Sequence, residues 1–464
     1  MSNLNLQRNL MIAFFIPMLP VVGLHLAASA LSLPASPLLL ARWIVLAVLV
    51  AFAIVRRSLT TWIFVSMVVG AEIGHDWPHV ATNLRILGRI FLRLITTIIA
   101  PLIFATMVVG IAGHSDLKKV GRMGIKALTY FEVITTLALL LGLAAINISK
   151  AGDGLKLPPA SSVEKITAVR PTWEDTVLHI FPENIAKSVS EGQILQVVVF
   201  SIVFAIGVAL LPEFRRRPML DLCGSLAETM FKFTNIVMLF APIGVGGAIA
   251  YVVGTMGLGV LVNLGKLLGT LYAALASFLL FVLLPVALVA RVPLKRFLKA
   301  IAEPVSIAFA TASSEAALPR AMEAMEALGV PRQTVAFVMP TGYSFNLDGT
   351  ALYLSLASVF VAQAAGIPMT FGQQLLMVFT LMLTSKGVAG VPRSSLIILL
   401  GTAAAFGLPD WPIFAILGID ALMDMGRTAV NVTGNCLATV VLSRWEGDFE
   451  KETVHSELEA APLS

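Results

Sequence analysis

Between Trp411 and Ser443 an otherwise apolar run carries only three formally charged side chains, Asp420, Asp424 and Arg427. With Asn431 they stand at offsets of 0, 4, 7 and 11 residues, which at about 100° per residue puts all four in a stripe roughly 60° wide on one helix. Thr428 and Asn435 extend the stripe, at about 80° and 60° from Asp420. An ionisable side chain at bilayer depth is costly, so such groups usually face a protein interior or a solute pathway. A salt bridge between helices is the simpler alternative, but two carboxylates, a guanidinium and several neutral polar groups exceed what one bridge needs. The set suits a small zwitterionic solute. The guanidinium would take a carboxylate, a carboxylate would take an ammonium group, and the amides and hydroxyl would satisfy what remains.

The elements that must position this strip are membrane spans. Of 464 residues, 58% are hydrophobic and 13% charged, against about 25% charged in soluble domains, and the mean hydropathy is +0.90. Apolar runs lie at about 9–32, 37–55, 58–74, 88–112, 124–148, 193–212, 226–254, 258–291, 301–328, 333–365, 372–406 and 411–443. Basic residues fill every second connection: Arg56 and Arg57, then Lys118, Lys119, Arg122 and Lys126, then Arg215, Arg216 and Arg217, then Arg291, Lys295, Arg296 and Lys299. The positive-inside rule places those connections, and with them both termini, on the cytoplasmic side of a plasma (inner) membrane. The long mixed-charge loop 149–192 falls outside, and the acidic tail 447–464 is expected to be a solvated cytoplasmic end. No small-residue cleavage site follows the first apolar run, so a signal peptide is not expected. Cys223 and Cys436 both sit in apolar runs, which points to neither a disulfide nor a metal site.

Two of the later runs are interrupted in matching ways. Ala312-Ser-Ser-Glu-Ala-Ala-Leu-Pro319 breaks one and Thr384-Ser-Lys-Gly-Val-Ala-Gly-Val-Pro392 breaks the other. Each break precedes a span with a buried polar motif, Asn346-Leu-Asp-Gly-Thr350 or Asp420 to Asn431, and Pro319 to Asp348 is 29 residues where Pro392 to Asp420 is 28. Matching broken segments are the mark of an inverted repeat with a site near the bilayer midplane. Non-helical backbone is tolerated at that depth where it lines a cavity.

Together these four motifs resemble the signature elements of the dicarboxylate/amino acid:cation symporters, the glutamate-transporter family, in the right order from about Thr60 to Gly447. The resemblance implies an all-α integral membrane fold of eight core helices, two re-entrant hairpins (here about 301–328 and 372–406) and a trimer whose transport domain moves as an elevator. On this reading, residues 1–57 are an N-terminal extension with two additional hydrophobic segments. Residues 58–300 hold the scaffold helices and the first part of the transport domain, and 301–446 hold its core.

The resemblance also assigns roles. Arg427 matches the partner of a substrate side-chain carboxylate, Asp424 the acceptor for its ammonium group, and Asn431 and Thr428 the residues at its α-carboxylate and amino end. Ser313, Ser314 and Thr350 complete the pocket, and Val391 and Ser395 lie at the tip of the second hairpin, the outer gate. Gly342, Ser344, Asn346, Asp348, Asn431 and Asn435 fall at cation-coordinating or coupling positions. Three departures bear on the coupling ion. Asn435 stands where sodium-coupled members have an aspartate, Ile134 replaces one of two hydroxyls of which Thr135 keeps the other, and Leu354 lies where animal members carry a protonatable glutamate. The pattern is similar to bacterial proton/glutamate-aspartate symporters, coupled to H+, Na+ or both, with Asp348 and Glu132 as candidate proton carriers. Ala312 replaces a hairpin serine, and Arg393 stands where a small residue is usual.

Other classes fit less well. None of the six histidines, His25, His75, His79, His114, His179 and His455, lies between 180 and 454. Ser313 and Ser314 therefore have no nearby histidine base, and no metal-binding His cluster exists. Catalysis, a cofactor and a nucleic-acid partner are not expected. A channel would also need charges in a cavity, but a solute-shaped strip beside two gates favours coupled transport. The rival substrate is a C4-dicarboxylate, whose carriers generally lack the aspartate at 424.

Overall fold

A computed structural model describes residues 35–113, 119–155, 181–190, 194–384 and 394–449. The run at 9–32 and Val391, Lys386 and Arg393 lie outside the described residues. The helices are α1 (Ala35–Arg56), α2 (Leu59–Asp76), α3 (Pro78–Asn83), α4 (Arg85–Ala112), α5 (Lys119–Ser149), α6 (Ile185–Ser190), α7 (Ile194–Ala209), α8 (Glu213–Met238) and α9 (Ala241–Met256). They continue with α10 (Gly259–Phe278), a π turn at Leu279–Leu283, α11 (Leu284–Val289), α12 (Leu294–Thr311), α13 (Ser314–Ala327) and α14 (Arg332–Phe345). Last come α15 (Asp348–Ala364), α16 (Phe371–Thr384), α17 (Ser394–Ala405) and α18 (Trp411–Glu446). Among the described residues there is no strand.

Five helical stretches among these are long and apolar enough to cross a membrane: Leu39–Arg56, Pro78–Val109, Met123–Ser149, Gly259–Val289 and Arg332–Ala364. The protein is therefore a multi-pass membrane protein, and its described secondary structure is helical. The run expected as one span over 226–254 is divided between α8 and α9, the first helix ending at Met238 and the second starting at Ala241. Pro242 at the start of α9 suits a first turn, where its missing N–H costs nothing. The strip-bearing α18 has 36 residues, and its length is ample; its charges and amides make it too polar to pass as a simple span.

The chain forms two compact units, residues 1–92 with 237–260, and 93–236 with 261–464. In the first, α2 packs on α9 through glycines. A Cβ on Gly70 would strike the Gly246 carbonyl oxygen, and one on Gly74 would strike the Ala250 oxygen at 2.7 Å. Small residues let membrane helices approach closely enough for dispersion contacts to hold them. Against α2 lies α1, through a cluster of Leu46, Leu49, Ala53 and Val65.

In the second unit α15 is the central helix, with every residue from Asp348 to Ala362 buried. Gly142 of α5 lies against the Leu352 carbonyl and Ser355 hydroxyl of α15, while α18 packs on α12, α13, α14 and α15. The two interrupted runs each consist of two helices. Between α12 and α13 the backbone breaks at Ala312, in the left-handed region at φ 51° and ψ 33°, and at extended Ser313. Ser313 then caps α13, its Oγ accepting from Ala316 N at 3.3 Å. Residues 385–393, between α16 and α17, lie outside the described set. A third break separates α14 from α15, where Asn346 (φ −126°, ψ 65°) and Leu347 (φ −98°, ψ 67°) leave the helical region. That break brings the polar Asn346-Leu-Asp-Gly-Thr350 motif against the middle of α18.

Candidate functional site

The stripe on α18 folds as its spacing requires. Arg427 is 1% exposed and Asp420 is fully buried. The Arg427 Nε donates to Asp424 Oδ1 at 2.8 Å and its Nη1 donates to Asp420 Oδ1 at 3.0 Å. Its guanidinium lies over the Tyr353 ring of α15, 4.3 Å from the centroid. Thr428 Oγ1 donates to the same Asp424 oxygen at 3.3 Å. One guanidinium thus serves two carboxylates and an aromatic face, and its Nη2 is buried with no hydrogen-bond partner among the described residues.

One turn further on, Asn431 joins α18 to α15 with both ends of its amide. Its Nδ2 donates to Thr350 Oγ1 at 3.0 Å and its Oδ1 accepts from Thr350 N at 3.2 Å. Beyond it, Asn346 Nδ2 donates to Asp348 Oδ2 at 3.3 Å and to Asn435 Oδ1 at 3.2 Å. Asn346, Asp348 and Asn435 are all essentially buried, and Asn346 Oδ1 has no hydrogen-bond partner among the described residues. Amide and carboxylate oxygens of this kind fit a hard cation or a transferable proton. Asp348 is the single formal charge in the group, because position 435 holds an amide.

Glycines set how closely these parts meet. A Cβ on Gly349 would run into the Arg427 backbone, one on Gly434 into the Asp348 carboxylate, and one on Gly342 into the Asn435 amide. Over-packing of this kind costs about 1–3 kcal/mol. Gly349→Ala is accordingly expected to lower the thermal unfolding midpoint and the initial rate of solute uptake together. Wild-type values for both would show that α15 and α18 part freely here.

The family model described as the sodium:dicarboxylate symporter family matches residues 59–445, which include every residue of this site. The chain belongs to the sodium:dicarboxylate symporter family. Among its relatives is the proton/sodium-glutamate symport protein of Bacillus subtilis (strain 168), 41% identical over 416 residues, covering 87% of this chain and 97% of the relative. The proton/glutamate-aspartate symporter of Escherichia coli (strain K12) is 40% identical over 417 residues, covering 86% and 95%. The C4-dicarboxylate transport protein of Leptothrix cholodnii is 42% identical over 412 residues, covering 87% and 92%. This symporter family transports solutes across membranes, and the chain is a transporter, not an enzyme. Overall identity is nearly equal toward the glutamate and dicarboxylate relatives, so only individual site residues can separate the substrates.

Of the residues singled out in the sequence, the symporter brings together Asp424, Arg427, Thr428, Asn431 and Thr350, with Gly342, Asn346, Asp348 and Asn435 alongside. Ser313 spends its hydroxyl on its own helix cap, and Ser314 is buried at the start of α13. Ser395 is buried in α17, its hydroxyl without a hydrogen-bond partner among the described residues. Ser344 lies in α14. Thr135 and Ile134 are buried in α5 and Leu354 in α15, while Glu132 is half-buried. Three residues contribute in ways the sequence did not assign. Asp420 was counted on the stripe without a role, and it is the second anchor of Arg427. Tyr353 follows Thr350 by three residues, one helical turn along the same face, which is the signal that would have found it. Gly349 sits inside the polar motif and is needed for closeness, which spacing alone does not reveal.

Proposed function

We propose that the protein is a secondary active symporter for the acidic amino acids glutamate and aspartate, driven by protons, sodium or both. The carrying observation is the internal pair between Asp424 and Arg427 at 2.8 Å. An acidic amino acid can exchange that pair for two of its own, side-chain carboxylate to Arg427 and ammonium group to Asp424, leaving its α-carboxylate to the neutral donors nearby. A pure dicarboxylate cannot, since its arrival at Arg427 would leave Asp424 as an unneutralised anion beside another anion. The dicarboxylate reading is kept as the rival because a relative named for C4-dicarboxylates is 42% identical.

Within this reading, Arg427 holds the side-chain carboxylate and Asp424 the ammonium group. Thr428, Asn431, Thr350, Ser313 and Ser314 hold the amino-acid end, and Val391 and Ser395 belong to the outer gate. The helix pairs 301–328 and 372–406 act as re-entrant hairpins around the site. Eight core helices, a trimeric scaffold, elevator-type movement, a bacterial inner-membrane location and cytoplasmic termini complete the proposal.

The coupling ion follows from charge. With an amide at 435, a dehydrated cation near Asn346 and Asp348 meets one carboxylate where two would hold it better, so protons on Asp348 or Glu132 are the expected drive. Proteoliposomes test both halves of the proposal. Labelled L-aspartate, L-glutamate and succinate are offered under an inward proton gradient in sodium-free buffer. Accumulation of the two amino acids, and not succinate, is expected. Uptake that appears only with added sodium overturns the ion assignment, and preferential uptake of succinate overturns the substrate.

A further inference from the structure

The matched family region begins at residue 59, so α1 lies wholly before it. Its apolar residues Leu46, Leu49 and Ala53 bury one face of the helix against Val65 of α2. Near its N-terminal end, however, stands a charged residue of the same buried face, Arg42. Arg42 Nη2 is 2.6 Å from Asp76 Oδ1 and its Nη1 is 3.5 Å from Glu72 Oε2, with all three side chains at most 7% exposed. The neighbouring Trp43 donates from Nε1 to the other Asp76 oxygen at 2.8 Å. The Trp43 ring also meets that of Trp77, with centroids 5.0 Å apart. Tryptophan is enriched at the level where hydrocarbon gives way to headgroups.

We infer that α1 is a charge-locked wall of the first compact unit, in which Arg42 is the counter-ion that lets Glu72 and Asp76 of α2 be buried. The physical reason lies in how α2 is occupied. Gly70 and Gly74 give one of its faces to α9 with no room for even a methyl group, so the acidic end of α2 cannot turn that way. Two buried carboxylates without a nearby cation would be strongly destabilising, whereas removing both the cation and the acids leaves nothing uncompensated. Trp43 adds direction, because the indole N–H and the guanidinium grip one carboxylate from both sides. The apolar cluster supplies area along the helix, and the ion cluster sets its register at one end. On this account α1 is a built part of the first compact unit.

The asymmetry between breaking and removing the cluster provides the test. The full-length protein is purified in detergent and its thermal unfolding midpoint followed by tryptophan fluorescence. Arg42→Ala is expected to lower the midpoint by roughly 5–10 °C. Adding Glu72→Gln and Asp76→Asn to Arg42→Ala should restore most of that loss, as coupling between contacting residues requires. Arg56→Ala, at the exposed far end of the same helix, serves as the control and should leave the midpoint in place. If Arg42→Ala yields too little protein to measure, recovery of yield in the triple variant is the supporting result. An unchanged midpoint in Arg42→Ala overturns the inference, and so does a triple variant no better than the single one.

Discussion

Asp424→Asn is expected to abolish concentrative uptake of aspartate and glutamate while leaving competition by succinate in place or improving it. The substitution is nearly isosteric and keeps one oxygen, so Thr428 Oγ1, now 3.3 Å from Asp424 Oδ1, retains an acceptor. Arg427 keeps its bond to Asp420 at 3.0 Å, so the guanidinium stays anchored. Only the negative charge proposed to face the substrate's ammonium group is lost. A buried ammonium without an anion costs on the order of 3–5 kcal/mol, or about two to three decades in affinity. A dicarboxylate carries no ammonium group and loses nothing by the change. The measurement is the concentration of each unlabelled solute that halves labelled uptake or, where uptake is silent, halves ligand protection against thermal unfolding. Near-normal aspartate affinity in the variant would remove Asp424 from the site.

Arg427→Ala is the second large effect. Loss of the guanidinium is expected to weaken acidic amino acids by about two to three decades, corresponding to roughly 3–5 kcal/mol for a carboxylate buried without its partner. Discrimination against neutral amino acids such as serine should fall with it. The variant also leaves Asp420 and Asp424 without their shared cation and bares the Tyr353 ring, which lies 4.3 Å from the guanidinium. Folding must therefore be measured beside transport. Arg427→Lys separates the two effects. It keeps the charge between the aspartates but has neither the planar fork nor the flat face that stacks on Tyr353. The lysine variant should fold near normally and still bind acidic amino acids at least tenfold more weakly. Unchanged competition by glutamate or aspartate in either variant would rule out Arg427 as the carboxylate partner.

Several features of this protein were legible in its sequence because they depend on local regularity. A helix period carries Asp420, Asp424, Arg427 and Asn431 to one face whatever else the chain does, and α18 does keep them together over one continuous helix. The break at Ala312–Ser313 was announced by short polar and small residues inside an apolar run, whereas the one at Asn346–Leu347 lies inside the run 333–365, where the sequence showed a polar motif but no break. The family follows from the same motifs in order. By contrast, the bend inside the run 226–254, where one helix ends at Met238 and the next starts at Ala241, was not legible, because hydropathy is blind to a turn between two apolar helices.

Tertiary structure alone decided which polar groups meet. Thr350 and Asn431 are 81 residues apart and exchange two hydrogen bonds, and Asn346 reaches Asn435 across 89 residues. No period or composition encodes such pairings. They depend on how closely α15 approaches α18, which Gly349 and Gly434 permit by having no side chain to hold the backbones apart. The same holds for Arg42, Glu72 and Asp76. In the sequence Arg42 is an isolated charge within an apolar run, and only the packing of α1 on α2 gives it a purpose. Hydrophobic burial is non-directional and can be read as a pattern, whereas a hydrogen bond or ion pair at bilayer depth needs two specific atoms within about 3 Å. The chain's chemistry was therefore visible residue by residue, and its assembly into a site was settled by the fold.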